Sequence, residues 1–163
     1  MSEIALVFSG PTSYPASKIL RNVLCNFGNC RPNPTFDNTI FETVYLLISS
    51  DGGSIEEAFS LYNLMRALPA EFITINMGQI ASAANILFLA GDQRYCCDHS
   101  YFHFHNLSFF YDKPQNLHRI QMKDHTQIVD MERELYLQII KQRTDLTDAD
   151  IEALKFLEEP MVN

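Results

Sequence analysis

Three features of this 163-residue chain predict an α/β fold with a mostly parallel sheet. Short apolar runs alternate with segments of helical periodicity, the order expected of repeated β-α units joined by right-handed crossovers. The run from Thr43 to Ile48 is almost continuously apolar, as a central strand covered on both faces would be. Finally, a β-type run gives way at Gly78 to Ser82 to an apolar, helix-like stretch, which marks a strand-to-helix corner.

The bulk properties agree. A hydrophobic fraction of 47% and a charged fraction of 20% describe a globular chain, and the length fits one domain over residues 1–163 with a sizeable core. The formal charge of −8 argues against nucleic acid as a partner, because phosphate binding needs clustered Lys and Arg. The first residues lack the basic region and long apolar core of a signal peptide, and no stretch approaches the ~18 apolar residues of a membrane span. A cytoplasmic protein without membrane contact is expected, with Cys25, Cys30, Cys96 and Cys97 reduced. Adjacent Cys96 and Cys97 lack the spacer of a zinc site, so no metal is expected.

In chain order, Ile4 to Phe8 reads as the first strand, and Ser9 to Ser13 as the turn that closes it. A helix is expected from Pro15 to Asn26, with Ile19, Leu20, Val23 and Leu24 at helical spacing. Gly28 to Asn38, rich in Gly, Pro and Asn, reads as an exposed loop. After the Thr43–Ile48 strand and the turn Ser49 to Ser54, a helix carries Ile55, Phe59, Tyr62, Met65 and Leu68 on one stripe and stops at Pro69. Phe72 to Met77 is the next strand, followed by a helix from Ser82 to about Ala90.

Tyr101 to His105 alternates, so a strand there would carry Tyr101, His103 and His105 on one face. Pro114 to Arg143 reads as a long, projecting polar helix. Its thin seam of Ile128, Met131, Leu135 and Ile139 favours packing against a second subunit. The last helix is expected from Thr147, with Asp150 in a capping-box-like position, to about Leu157.

The corner at Ser82 is the candidate site for chemistry. Free backbone N–H groups at a helix start suit the oxyanion of an acyl transfer, and a serine there is placed to be the nucleophile. A simple N-capping serine is the ordinary alternative.

Taken together, Ser50-Asp51-Gly52-Gly53-Ser54, Met77-Gly78-Gln79-Ile80-Ala81-Ser82-Ala83-Ala84 and Phe102-His103-Phe104-His105-Asn106, in this order and separation, resemble the proteolytic subunit of the Clp protease family, over roughly Ala5 to Asn163. The resemblance implies a Clp/crotonase-like fold and a serine endopeptidase with Ser82 as nucleophile and His105 as general base. It also implies an oxyanion hole made by the backbone N–H groups of Gly53 and Ala83. His103 is the competing base, and motif register selects His105. The acid of the triad falls on Glu158, or on Glu159 with a shift of one residue.

The resemblance further implies peptide or unfolded protein as substrate and no cofactor. It implies a homo-oligomer of rings of seven, as a heptamer or a stacked tetradecamer, with an unfoldase ATPase as a candidate partner. Several positions depart from the family's pattern. Asp51 replaces its usual proline, Ala83 and Ala84 follow the serine, and the chain is expected to lack the family's N-terminal extension and final C-terminal segment. Two rival readings follow: a catalytically impaired subunit with a structural or regulatory role, and a crotonase-like acyl-CoA enzyme, for which the chain looks too short.

Overall fold

The chain up to Cys96 builds a parallel sheet in which four successive strands lie each beside its predecessor in sequence. The computed structural model describes residues 2–27, 41–105, 107 and 118–153. Two compact units divide them, residues 1–103 and 104–163.

In the first unit, β1 (Glu3–Ser9) pairs in parallel with β2 (Thr43–Ser50), Glu3 opposite Thr43 and Ser9 opposite Ser49. β2 pairs with β3 (Glu71–Ala81) on its other side. The intervening helices are α1 (Tyr14–Phe27), α2 (Ile55–Ala67) and α3 (Ala84–Leu89), and α2 packs against both of the others. Parallel strands require such crossovers, and a sheet that grows in one direction with right-handed crossovers collects its helices in one layer.

Burial follows the pleat. In β2, Val44, Leu46, Ile48 and Ser50 are buried while Tyr45, Leu47 and Ser49 are half-buried, so the nearly continuous apolar run does not give two equally covered faces. Opposite the first set, β3 contributes Phe72, Thr74 and Asn76, and α2 adds Ala58, Leu61 and Met65, all at most 1% exposed. Of the three helices, α2 is also locally specified. Ser54 caps α2 by accepting the Glu57 N–H at 3.1 Å, and Glu56 and Glu57 in the first turn and Arg66 in the last complement the macrodipole. Arg21 of α1 reaches across to Glu57 of α2 at 2.7 Å.

The glycine corner differs from the expected strand end. β3 does not stop at Gly78: its register against β2 slips between Ile48–Asn76 and Ser50–Ile80, so residues 77–79 form a bulge and the strand continues to Ala81. Buried Asn76 stabilises this bulge, its side chain accepting the Gly78 N–H at 3.0 Å and donating to the Tyr101 carbonyl at 3.1 Å. Beyond the bulge β3 changes neighbour. Its first part pairs with β4 (Gln93–Cys96), a strand the sequence reading did not anticipate, and its last part with β5 (Tyr101–His103).

β5 is only three residues long, so the alternation that was to place His105 beside His103 ends at His103. The expected loop at 28–38 lies outside the described residues.

The second unit contains α4 (Arg119–Arg143) and α5 (Asp148–Ala153). α4 starts behind His118, whose N–H donates to the Gln121 side chain at 2.9 Å, and therefore later than Pro114. At 25 residues it is ~37 Å long. Its expected seam is split: Ile128, Met131 and Leu135 are 40, 56 and 42% exposed, Ile139 is buried, and the buried stripe is Glu132, Tyr136, Ile139 and Ile140.

α5 opens with reciprocal capping, Thr147 N–H and Oγ1–H donating to Asp150 Oδ2 at 2.8 and 2.6 Å while Asp150 N–H donates to Thr147 Oγ1 at 3.2 Å. These bonds to Thr147, the side-chain one first, hold the Asp150 carboxyl below its ordinary value. The expected continuation of this helix to Leu157 falls outside the described residues. No described helix is long and apolar enough to cross a membrane.

Candidate active site

Ser82 is the one non-glycine residue with positive φ among the described residues, at +52°. This left-handed conformation costs an L-residue roughly 1–3 kcal/mol and clusters at functional sites. It turns the chain sharply from the end of β3 at Ala81 into α3. The capping alternative fails here, because the N-cap of α3 is Ala83 and no side chain caps the helix. With only six residues, α3 also supplies less macrodipole than the longer helix expected from the sequence, so the local N–H groups matter more than helix length.

Hydrogen bonds hold the turn from both sides. Ser82 N–H donates to the His103 carbonyl at 3.0 Å, and the Ser82 carbonyl accepts from the Asn85 N–H at 3.1 Å and from Asn85 Nδ2 at 3.0 Å. Asn85 Nδ2 also donates to the His103 carbonyl at 3.1 Å. Phe88 of α3 meets Phe102 of β5 with ring centroids 5.0 Å apart. The Ala83 N–H, one residue past the turn, makes no hydrogen bond to a described residue.

The Gly52–Gly53 corner at the end of β2 meets this turn. Gly52 has φ +95°, and a Cβ there would lie 2.6 Å from Ser82 Cβ, 2.7 Å from the Ala81 carbonyl oxygen and 3.2 Å from Ala83 N. Only a residue without Cβ permits that approach.

Gly53, at φ +139°, forms an isolated parallel bridge with Thr12. The bridge uses the Gly52 carbonyl, which accepts Thr12 N–H at 2.7 Å, and the Ser54 N–H, which donates to the Thr12 carbonyl at 2.7 Å. The Gly53 N–H is left over, with no hydrogen bond to a described residue. Thr12 braces the corner from behind and is 1% exposed.

Ser82, Ala83 and Gly53 thus lie in one unit, with Gly52 packed against the serine turn, Gly53 packed against Thr12, and the N–H groups of Gly53 and Ala83 bonded to no described residue. Such donors, fixed before any substrate arrives, can stabilise an oxyanion without reorganisation. A strained serine between strand and helix, followed by a free N–H, is also the local geometry of a nucleophile elbow. His105 belongs to the second unit and is exposed. Glu158 and Glu159 lie outside the described residues. His103 ends β5, and its carbonyl accepts two of the bonds that fix the turn.

Thr12 and Asn85 were missed in the sequence. Thr12 gave no signal in its turn, whereas Asn85 was visible as the one polar residue in an otherwise apolar run from Ala83 to Ala90. Among the described residues no cluster of His, Cys, Asp and Glu could hold a metal ion.

Comparison with known proteins identifies the family. The family model for Clp protease matches residues 38–158, about three quarters of the chain. The ATP-dependent Clp protease proteolytic subunit 2 of Borreliella burgdorferi is 36% identical over 47 residues, 29% of this chain and 24% of that protein. The subunit 2 of Treponema denticola is 38% identical over 50 residues, 31% and 25% of the two chains. The subunit 1 of Leifsonia xyli subsp. xyli is 38% identical over 48 residues, 29% and 24%. Each match spans about a quarter of the relative's length. With the family model matched over this span, the chain belongs to the Clp protease family.

Proposed function

We propose that this protein is a serine endopeptidase unit. Ser82 attacks the peptide carbonyl, His105 accepts its proton, Glu158 orients the imidazole, and the N–H groups of Gly53 and Ala83 receive the oxyanion. The bond between Ser82 Oγ and the carbonyl carbon forms as the proton passes to His105. Collapse of the tetrahedral intermediate expels the amine, which takes that proton. Water then hydrolyses the acyl-enzyme by the reverse path.

The observation that carries this reading is the strained Ser82 turn against which Gly52 packs, flanked by the N–H groups of Gly53 and Ala83, which bond to no described residue. The family supports peptide or unfolded protein as substrate. It also supports a homo-oligomeric ring, heptameric or stacked as a tetradecamer, with an unfoldase ATPase as partner. The exposed residues of α4, Ile128, Met131 and Leu135, supply an apolar surface suited to such self-association.

The test is covalent labelling of the purified protein by a fluorophosphonate, read as intact mass, beside Ser82→Ala and His105→Ala. One adduct on the wild type, absent from both variants, is the expected result. A folded, assembled wild type that takes no adduct would overturn the active-peptidase reading and favour a catalytically impaired subunit with a structural or regulatory role. The substitution of Asp51 at the oxyanion corner is the observation that motivates this second reading.

A further inference from the structure

We propose that Asn85 is the positioning residue of the nucleophile: its side-chain amide locks the left-handed backbone of Ser82 against the end of β5. This inference rests on the peptidase reading of Ser82.

The hydrogen bonds form a closed circuit. Ser82 N–H donates to the His103 carbonyl at 3.0 Å, Asn85 Nδ2 donates to that same carbonyl at 3.1 Å, and Asn85 Nδ2 donates to the Ser82 carbonyl at 3.0 Å. An amide nitrogen carries two hydrogens, one for each carbonyl, so the donor count closes. The amide orientation follows from chemistry, since the flipped form would point Oδ1 at two carbonyl oxygens. Neither Asp, which has no donor when ionised, nor Ser, which has one, can complete the circuit.

The placement is otherwise unfavourable. Asn85 is 1% exposed on a six-residue helix whose other members, Ala84 and Ile86 to Leu89, are all apolar and buried. Its Oδ1 is buried and accepts no hydrogen bond from a described residue. A buried, unsatisfied oxygen is costly, and an apolar side chain here would avoid that cost.

What Asn85 supplies instead is restraint at the residue that needs it. A glycine would adopt φ +52° without strain but would bring no hydroxyl. A serine that must hold its Oγ at this corner has to be kept there by its surroundings. With both its N–H and its carbonyl anchored, Ser82 cannot relax into the right-handed region without breaking the circuit. The circuit also fixes the chain two residues before His105.

The experiment compares wild type, Asn85→Asp, Asn85→Ala and, as a control on the same buried helix, Ile86→Val. The readouts are the fluorophosphonate labelling rate, kcat and KM on a short fluorogenic peptide, and thermal stability. Both Asn85 variants are expected to label at least tenfold more slowly and to lose kcat with KM little changed. Ile86→Val is expected to lose stability while labelling at the wild-type rate.

If Asn85→Asp and Asn85→Ala do not fold, Asn85→Ser retains one donor and is expected to label at an intermediate rate. Wild-type labelling in any folded Asn85 variant overturns the inference and leaves the peptidase reading standing. An unlabelled wild type overturns both.

Discussion

Replacing Gly52 by alanine separates backbone strain from the close approach that builds the site, because Gly10 provides a matched control. Both glycines have similar positive φ, +95° at Gly52 and +102° at Gly10, but a Cβ at Gly10 meets nothing within 4 Å. Gly10→Ala should therefore cost only the backbone term, about 1–2 kcal/mol. Gly52→Ala carries the same term plus the clash with Ser82 Cβ at 2.6 Å and the Ala81 carbonyl oxygen at 2.7 Å. Neither neighbour is the end of a flexible side chain, so overpacking adds roughly 1–3 kcal/mol, for a total of roughly 2–5. Restoring a carbon–carbon contact of ~3.5 Å requires the two segments to part by about 0.9 Å. Misplacement on that scale costs catalysis on the order of 100-fold. Urea denaturation gives the stability difference, and fluorophosphonate labelling gives the functional one. Equal destabilisation by the two substitutions, or labelling of Gly52→Ala at the rate of Gly10→Ala, would refute the reasoning.

Two further outcomes follow from charged groups. Asp51 is exposed, makes no hydrogen bond or ion pair with a described residue, and stands two residues before the Gly53 N–H. Asp51→Asn should lower kcat/KM for peptides with Lys or Arg beside the scissile bond, by at most roughly fivefold, the Coulomb energy of a solvated pair at about 4 Å. The difference should vanish at high salt, and an unchanged ratio of basic to neutral peptides at low salt would sink the idea. Asp150 is held below its ordinary carboxyl value by its bonds to Thr147, so its contribution is present above that ordinary value and is lost as pH falls through the depressed one. Amide exchange at the start of α5 should accelerate in acid, and Asp150→Asn should remove that pH dependence. Persistence of the same acid response in the variant would show that another group controls it.

What could be read in the sequence was what local periodicity encodes. The apolar run of β2 and the stripe of Ile55, Tyr62 and Met65 on α2 state their own conformation, and the structure places both elements within a few residues of the expected bounds. β4 was invisible because Gln93, Arg94, Tyr95 and Cys96 are all exposed and show neither alternation nor an apolar run. The bulge at residues 77–79 depends on the Asn76 side chain reaching Tyr101, a contact 25 residues apart that no window of sequence contains. On α4 the periodicity identified a helix but not its buried face. Glu132 and Tyr136 are buried where Met131 and Leu135 were expected to be. At the site, the two segments that meet, the Gly52–Gly53 corner and the serine turn, were legible through motif resemblance. The φ of Ser82 and the circuit through Asn85 were not, because both arise only when β3, β5 and α3 converge.

The all-parallel order of the sheet also shapes how the chain folds. A parallel partner cannot be reached by a tight turn, so β1 cannot take its place beside β2 until Thr43 to Ser50 has been made. The β2-α2-β3 segment has the shorter crossover, from Ser50 to Glu71, and loop closure favours it as the earlier pairing. Pulsed hydrogen exchange should find β2 and β3 amides protected before those of β1, and simultaneous protection would contradict that order. Until then the apolar stretch Ile4 to Phe8 lacks its β2 partner, and an apolar strand left without its partner is a site at which a nascent chain aggregates.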